Sequence, residues 1–442
     1  MLFTPFNTPP TDEPLKNTMP SCFALVDCNN FYVSCERLFR PDLHGKAVAV
    51  LSNNDGCIIA RSEEVKALGI QMATPVHQVM PLIKQHRVQL FSSNYSLYGD
   101  LSNRVMSTLA GFTPHLEIYS IDESFLTLQT LPTQSIKAQA QTIRRTVQRH
   151  TGIPVSIGLG PTKTLAKLAN KIAKQEKTTG IFNLSCPIDR ACYLKLTAVK
   201  NIWGIGSKTA KKLQALKIIT AWDLAQQDPE WIRSLFTVTA ARTVRELNGF
   251  TCLTLDEVPA TKQQIICSRS FKGGLRDHRL LAQALSHFCL RAGEKLRIQN
   301  SLTSRITLFI NTHPFDKNTP ADNRSASLKL PQATQDSRVI IAQAKKLLTQ
   351  LVQPGYRYHQ CGIVLSHFDH PTTPRQADLF TDNAHQSHAR KLMKTIDTIN
   401  QRFPNRLTFA ASGLQTAWQA PPQWLSPHYT TQWQELAHVK CI

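Results

Sequence analysis

Two runs of strand-forming residues carry carboxylates where a core has no place for them. Residues 22 to 27 (CFALVD) are apolar up to Asp27, and residues 116 to 128 (LEIYSIDESFLTL) are β-branched or aromatic except around Asp122 and Glu123. An ionised carboxylate in a buried strand is costly unless it is paired or holds a metal. Adjacent residues of a regular strand face opposite sides, so Asp122 and Glu123 can serve one site only at a turn or bulge, which SIDES permits. Taken alone, the Asp-Glu pair also reads as a structural turn with solvent-exposed acids.

The surrounding pattern is α+β. After the first strand, Asn29 or Asn30 can cap a helix carrying Phe31, Cys35 and Leu38 inward. The strand AVAVL (47 to 51) leads into the turn signal Ser52-Asn53-Asn54-Asp55-Gly56, with a short strand and helix over 57 to 69. Residues 116 to 128 read as a hairpin, 135 to 150 as a helix, 153 to 159 as a strand and 162 to 174 as a lysine-rich helix. From 183 to Gly249 the texture is helical. Between 260 and 365, strands (IICSRSF, RITLFI, CGIVLSHF) flank helices at 279 to 298 and 336 to 353, as a separate α/β module would. Beyond 366 the composition turns to Pro, Thr, Gln and His, which reads as a tail with a few short elements.

At 442 residues the chain is long enough for several domains. The Pro-rich first 20 residues, with two acids and one Lys, lack the basic start and apolar centre of a signal peptide. They read as a disordered leader, and Met19 is an alternative start to Met1. No stretch of about 18 apolar residues offers a transmembrane span. The 11 Cys include no C-x-x-C pair, which argues against a disulfide framework or a thiolate zinc site and for a reducing cytoplasm. His367 and His370 have ligand-like spacing but no partner pair beside them, so a surface loop is the simpler reading.

Lys and Arg number 51 against 30 Asp and Glu, a net charge of +21 that attracts polyanions, nucleic acid first. Lys163, Lys167, Lys171 and Lys174 share one helix face, with Leu165, Leu168 and Ile172 on another; the stripe suits a triphosphate, a phosphate backbone or simply water. Trp203-Gly204-Ile205-Gly206 followed by Ser207, Lys208, Lys211 and Lys212 looks like a helix-hairpin-helix. Its glycines would let backbone N–H groups approach a phosphate, and Ser207 could cap the next helix. Residues 260 to 310 hold nine Lys or Arg against Asp277 and Glu294, including Arg269 and Lys272 beside a Gly pair. Such a surface grips phosphates without reading bases.

Together these residues resemble the Y family of DNA polymerases, and most closely the UmuC-type catalytic subunits of bacterial DNA polymerase V. The matching strings are ALVDCNNFYVSCERLFRPDL, VLSNNDGCIIAR, FSSNYSLYGDLSNRVMSTL, EIYSIDESF, TKTLAKLANK, WGIG, TKQQIICSRSF, TQDSR and LSPHYTT, in family order from residue 22 to about 431. The resemblance implies a multidomain α+β right hand. Its parts are a palm (21–32 and 95–182), small fingers (33–94), a helical thumb with the helix-hairpin-helix (183–255) and an α/β little finger (256–366). A leader (1–20) precedes them and a C-terminal tail (367–442) follows.

It also implies two Mg²⁺ ions held by Asp27, Asp122, Glu123 and the main-chain carbonyl of Cys28. Tyr32 falls on the steric gate against ribonucleotides, and Arg61, Lys66 and Lys174 on triphosphate contacts. Lys66 stands where many relatives carry Arg, and Glu63 where many carry Tyr. Gly204, Gly206, Ser207, Lys208, Lys211, Arg269 and Lys272 are the expected DNA contacts. Gln376-Ala377-Asp378-Leu379-Phe380 resembles the peptide by which bacterial polymerases bind the sliding clamp.

The implied activity is error-prone, template-directed DNA synthesis across lesions in the SOS response, in a bacterial cytoplasm near the nucleoid. Its partners would be primer-template DNA, deoxynucleoside triphosphates, the clamp, a processed UmuD-type dimer and a RecA filament, with no membrane. A catalytically idle DNA-binding scaffold and a metal nuclease are the rival readings. Neither explains three carboxylates beside a sugar-gate aromatic.

Overall fold

The structure is a computed structural model. It describes residues 22–129, 134–176, 179–256, 261–313, 321–370, 383–403, 406–413 and 418–436. The leader and the clamp-like Gln376, Leu379 and Phe380 lie outside the described residues. The chain divides into two compact units. One takes Met1–Leu51, Ile58–Pro259 and Trp424–Ile442; the other takes Ser52–Cys57 and Ala260–Gln423.

In the first unit, β1 (Cys22–Cys28) runs into α1 (Phe31–Phe39), followed by β2 (Val48–Leu51), β3 (Ile58–Arg61), α2 (Glu63–Ala67), α3 (Val76–Gln85) and β4 (Gln89–Ser92). Then come α4 (Tyr95–Ala110), β5 (Leu116–Ile118), β6 (Glu123–Leu128), α5 (Ile136–Thr151), β7 (Val155–Gly160), α6 (Lys163–Glu176) and β8 (Ile181–Asn183). The larger sheet has the order β5-β6-β1-β7-β8, so β1, buried along its whole length, is central and antiparallel to both neighbours. The smaller sheet, β3-β2-β4, has its own apolar cluster around Leu51, Ile58, Val65 and Ile83.

Alternation divides the residues of β1 between two layers. Ala24, Val26 and Cys28 join residues of α1, α4 and α5 in one core, while Phe23 and Leu25 meet Phe125 and Ala166 on the other face. On that second face α6 lies close against the sheet because Gly158 and Gly160 of β7 offer no side chain. A Cβ at Gly158 would fall 2.1 Å from the Ala166 carbonyl oxygen and 2.1 Å from the Asn170 nitrogen. Asn170 fastens the helix there, donating to the Ser156 carbonyl at 2.8 Å and to that of Leu25 at 3.3 Å.

The opposite side of α6 shares a core with the helical segment α7 (Pro187–Leu196), α8 (Ser207–Ala215), α9 (Ala221–Ala225), α10 (Pro229–Leu235) and α11 (Val238–Leu247). Glu246 of α11 is fully buried but satisfied. It accepts from the Thr164 amide (3.0 Å) and hydroxyl (2.7 Å) at the start of α6 and from the Cys252 and Leu253 amides. A carboxylate at a helix N-terminus also gains from the helix dipole.

The second unit is built on β9 (Gln264–Leu275), α12 (His278–Ile298), β10 (Leu302–Thr312), β11 (Asn323–Thr334), α13 (Ser337–Leu351) and β12 (Tyr358–Asp369), in the antiparallel order β11-β10-β12-β9. Residues of both helices share one core with those of the sheet. β11 escapes the sequence reading because NRSASLKLPQAT is polar and holds Pro331. As an edge strand it tolerates both, and the register shift opposite Thr303/Arg305 falls between Lys329 and Thr334, around that proline.

The stretch read as a tail contains a 20-residue helix, α14 (Asn383–Arg402), whose Asp397 pairs with Arg297 of α12 through two hydrogen bonds of 2.5 and 2.7 Å. Residues 424–436 are likewise packed, as part of the first unit.

Because α6 must lie within a Cβ's width of β7, Gly158→Ala is expected to destabilise the first unit by about 3 kcal/mol or more. A urea midpoint unchanged from the parent would show that the close approach is not required.

Candidate active site

The register of the central strands assembles the acidic site. Asp27 lies directly opposite Glu123 of β6 and Ser156 of β7. Directly opposed residues of an antiparallel pair share a face, so Asp27 and Glu123 project together on the side covered by α6. Asp122 sits one residue earlier, in the β5–β6 turn, so pairing as a strand residue does not force it to the opposite side. Ser120 closes that turn: its hydroxyl donates to Asp122 Oδ1 at 2.6 Å and accepts from the Glu123 amide at 3.0 Å. The Asp122 carbonyl accepts from the Cys28 amide at 2.8 Å, joining the turn to the end of β1.

Two lysines of α6 balance this charge. Lys174 Nζ lies 2.5 Å from Asp27 Oδ2, and Lys167 Nζ lies 3.0 Å from Glu123 Oε2. Asp27 is 8% exposed, and burial pushes its carboxyl up to about 7; Lys174 pulls against that shift, while Glu123 and Asp122 add to it. Lys167 also lies over the Tyr119 ring (4.3 Å) and the Trp203 ring (5.2 Å), so the WGIG segment packs beside the hairpin.

The lysine stripe is therefore not a row of free cations. Lys163 is buried and ion-paired with Glu117, which also accepts from the Asp256 amide at 2.7 Å. Lys171 is not paired in this way, and burial lowers its pKa, with nearby Lys200 adding to the shift. Among the described residues, no group of three acid, His or Cys side chains is arranged as a metal cage, because the acids are turned to their lysine and serine partners. The donor set is nonetheless one of hard carboxylate oxygens, which suits a divalent cation such as Mg²⁺.

Tyr32, in the first turn of α1, is half-buried and stacks on Tyr98 of α4, with ring centroids 4.6 Å apart at 17°. Burial pushes its hydroxyl up to about 12. Asn30 holds the N-cap position of α1 with φ 46°, but its side chain is not the cap. Its Oδ1 accepts from Lys66 (2.8 Å) and its Nδ2 donates to Glu63 (3.2 Å), while Lys66 also pairs with Glu63 at 2.6 Å. Arg61 donates to the Ile70 carbonyl.

Of the expected DNA contacts, Gly204 takes a φ of +83°, the left-handed region that favours glycine, and Lys208 and Lys211 are exposed on α8. Ser207 does not cap that helix. Gly206 takes the N-cap position, which leaves the Ser207 hydroxyl one residue inside, beyond the cap geometry. Lys272 is exposed, whereas Arg269 is half-buried within the second unit, where it donates to Asn54 Oδ1 at 3.2 Å and the Asn53 carbonyl at 3.4 Å.

Sequence reasoning overlooked Ser120, Glu117 and Glu36. Serine two residues before Asp122 was the available signal for the first. Nothing local marks the other two, since their partners are 46 and 62 residues away.

The impB/mucB/samB family profile matches residues 26–171, and that of the impB/mucB/samB family C-terminal domain matches 262–379. Residues 390–439 match a domain of unknown function (DUF4113). The chain is 42% identical to Protein ImpB of Salmonella typhimurium, over 94% of this chain and 98% of that protein. It is 43% identical to Protein UmuC of Salmonella typhimurium strain LT2, over 95% and 100%. Among solved structures, a Y-family DNA polymerase chimera superposes with a TM-score of 0.63 at 20% identity, covering 79% of this chain and 99% of that one. The chain has the right-hand fold of that polymerase and belongs to the impB/mucB/samB family, with UmuC among its relatives.

Proposed function

We propose that the chain is an error-prone, DNA-directed DNA polymerase that performs translesion synthesis in the SOS response, with Asp27, Asp122 and Glu123 as its catalytic carboxylates. The observation that carries this reading is the opposed pair Asp27–Glu123, with Asp122 in the adjoining turn and two lysines facing it from α6. Phosphate binding alone needs no acids, so an idle DNA-binding relative leaves this cluster unexplained. The similarity to UmuC along nearly the whole chain and the fold shared with a Y-family DNA polymerase chimera support the same reading.

In this account the three carboxylates and the Cys28 carbonyl hold two Mg²⁺ ions. When bound, the ions supply charge stabilisation for the triphosphate and lower the pKa of the attacking 3′-hydroxyl. Lys174 keeps Asp27 in charge balance in the free protein and is the cation at hand for an incoming triphosphate. Lys66 and Arg61 are further proposed triphosphate contacts, and for Lys66 this means exchanging Asn30 and Glu63 for phosphate oxygens. Tyr32, five residues beyond Asp27, would lie under the sugar and exclude a 2′-hydroxyl.

The exposed Lys208, Lys211 and Lys272, with Gly204, Gly206 and Ser207, are proposed backbone contacts on the DNA. Arg269 would reach DNA only on leaving Asn54. Clamp docking through Gln376, Leu379 and Phe380, a UmuD-type dimer and a RecA filament complete the proposed setting, in a bacterial cytoplasm at the nucleoid. No helix among the described residues is long and apolar enough to cross a membrane.

Asp122→Ala or Glu123→Ala should lower nucleotide insertion by about 10³-fold or more, as loss of a metal ligand costs several kcal/mol at the transition state. Gel-shift affinity for primer-template should stay near the parent's, and near-normal extension by either purified variant would remove these acids from the catalytic role. Tyr32→Ala should lower the deoxy-to-ribonucleotide ratio of kcat/KM by about 10–100-fold. Single-nucleotide insertion with both sugars measures it, and an unchanged ratio would take Tyr32 out of the gate.

A further inference from the structure

The C-terminal segment that follows Gln423 returns to the first unit and packs on the elements that hold Tyr32. The Trp424 amide donates to Ser92 Oγ at 3.1 Å, and its carbonyl accepts from the Ser92 amide at 2.9 Å, beside the end of β4. Asn94, 2% exposed, donates to the Ser426 carbonyl (3.1 Å), the Ser426 hydroxyl (3.0 Å) and the Pro427 carbonyl (3.2 Å), while its Oδ1 caps α4. Tyr429 stacks on Phe39 of α1, with centroids 4.4 Å apart at 11°.

At the centre of these contacts is Glu36, fully buried on α1. Its Oε1 accepts two hydroxyls, Tyr98 at 2.6 Å and Ser426 at 3.0 Å, and its Oε2 has no hydrogen-bond partner. Burial pushes this carboxyl up to about 7, against the pull of those two hydrogen bonds and of Arg40. A buried carboxyl with one oxygen unsatisfied depends on every bond the other oxygen receives. Tyr98, fully buried, is in turn the ring on which Tyr32 stacks, and Tyr95 meets both rings edge-on, at 6.0 and 6.2 Å. The contacts therefore run without a break from Ser426 through Glu36 and Tyr98 to Tyr32.

We propose that Ser426, Glu36 and Tyr98 are positioning residues that fix the Tyr32 ring, so that the C-terminal segment, within a stretch that matches a domain of unknown function, helps set sugar discrimination. The proposal rests on Tyr32 being the sugar gate. None of the three residues needs to touch the nucleotide. Each limits the tilt of a ring that works by exclusion, and exclusion is lost by small displacements.

The test is single-nucleotide insertion of deoxy- and ribonucleotides by the full chain carrying Tyr98→Phe, Ser426→Ala or both, with Ser426→Thr as the conservative variant. Each single change should lower the deoxy-to-ribo ratio of kcat/KM by about threefold or more, mainly through faster ribonucleotide insertion, and Ser426→Thr should recover most of it. The double variant should fall no further than the larger single effect, and in a Tyr32→Ala background neither change should move the ratio. If Tyr32→Ala lowers the ratio while Tyr98→Phe and Ser426→Ala leave it at the parent value, the gate stands and the positioning role is wrong. The same holds if both sugars are slowed equally alongside a lower melting temperature, since that is what general destabilisation gives. If Tyr32→Ala itself leaves the ratio unchanged, the gate fails and this proposal falls with it.

Discussion

The balance of charge at the end of β1 is the constraint on which the rest of the first unit depends. A carboxylate as buried as Asp27, directly opposite Glu123, is tolerable only with cations within reach, and Lys174 and Lys167 supply them. Both lysines are on α6, so that helix has to lie on the same face of the sheet as the acids and very near it. Gly158 and Gly160 permit the approach, Asn170 bonds across it, and Glu246 anchors the helix start. The far side of α6 then carries the core of the following helices, so the acidic site and the helical segment share one structural member.

The acidic cluster was legible because charge in an apolar strand is anomalous at the level of sequence. Asp27, Asp122 and Glu123 stand out for that reason alone, and the 4, 4, 3 spacing of the lysines puts them on one face of a helix. The pairing was not legible. Register decides that Asp27 meets Glu123 and not Asp122, and tertiary packing decides that Lys163 is buried on Glu117 while Lys174 reaches Asp27. Ser207 misled because a one-residue shift in helix start separates a cap from a first-turn residue. β11 was hidden by polar composition and Pro331, both permissible at a sheet edge. The return of residues 424–436 left no periodic trace, since its bonds to Ser92, Asn94 and Glu36 are made by an irregular segment.

Acids held by lysines in the free protein suit the proposed exchange of those lysines for metal ions and a triphosphate. Lys174 has one ammonium and two anionic claimants, Asp27 and a triphosphate, and the proposed mechanism uses both. The aromatic cluster of Tyr32, Tyr95 and Tyr98 sits on α1 and α4, which are also the elements the C-terminal segment contacts. Sugar selection and metal binding would thus be supported from opposite faces of one sheet.

Metal binding in the absence of nucleotide tests the central claim most directly. Calorimetric titration of the DNA-free protein with Mn²⁺ should give weak binding that Asp27→Asn abolishes. Lys174→Ala and Lys167→Ala should each tighten it, because removing a resident cation leaves the carboxylates free for the ion. Identical titrations for the parent, the lysine variants and Asp27→Asn would contradict the account, since the acids would then be neither a cation site nor held in check by lysine.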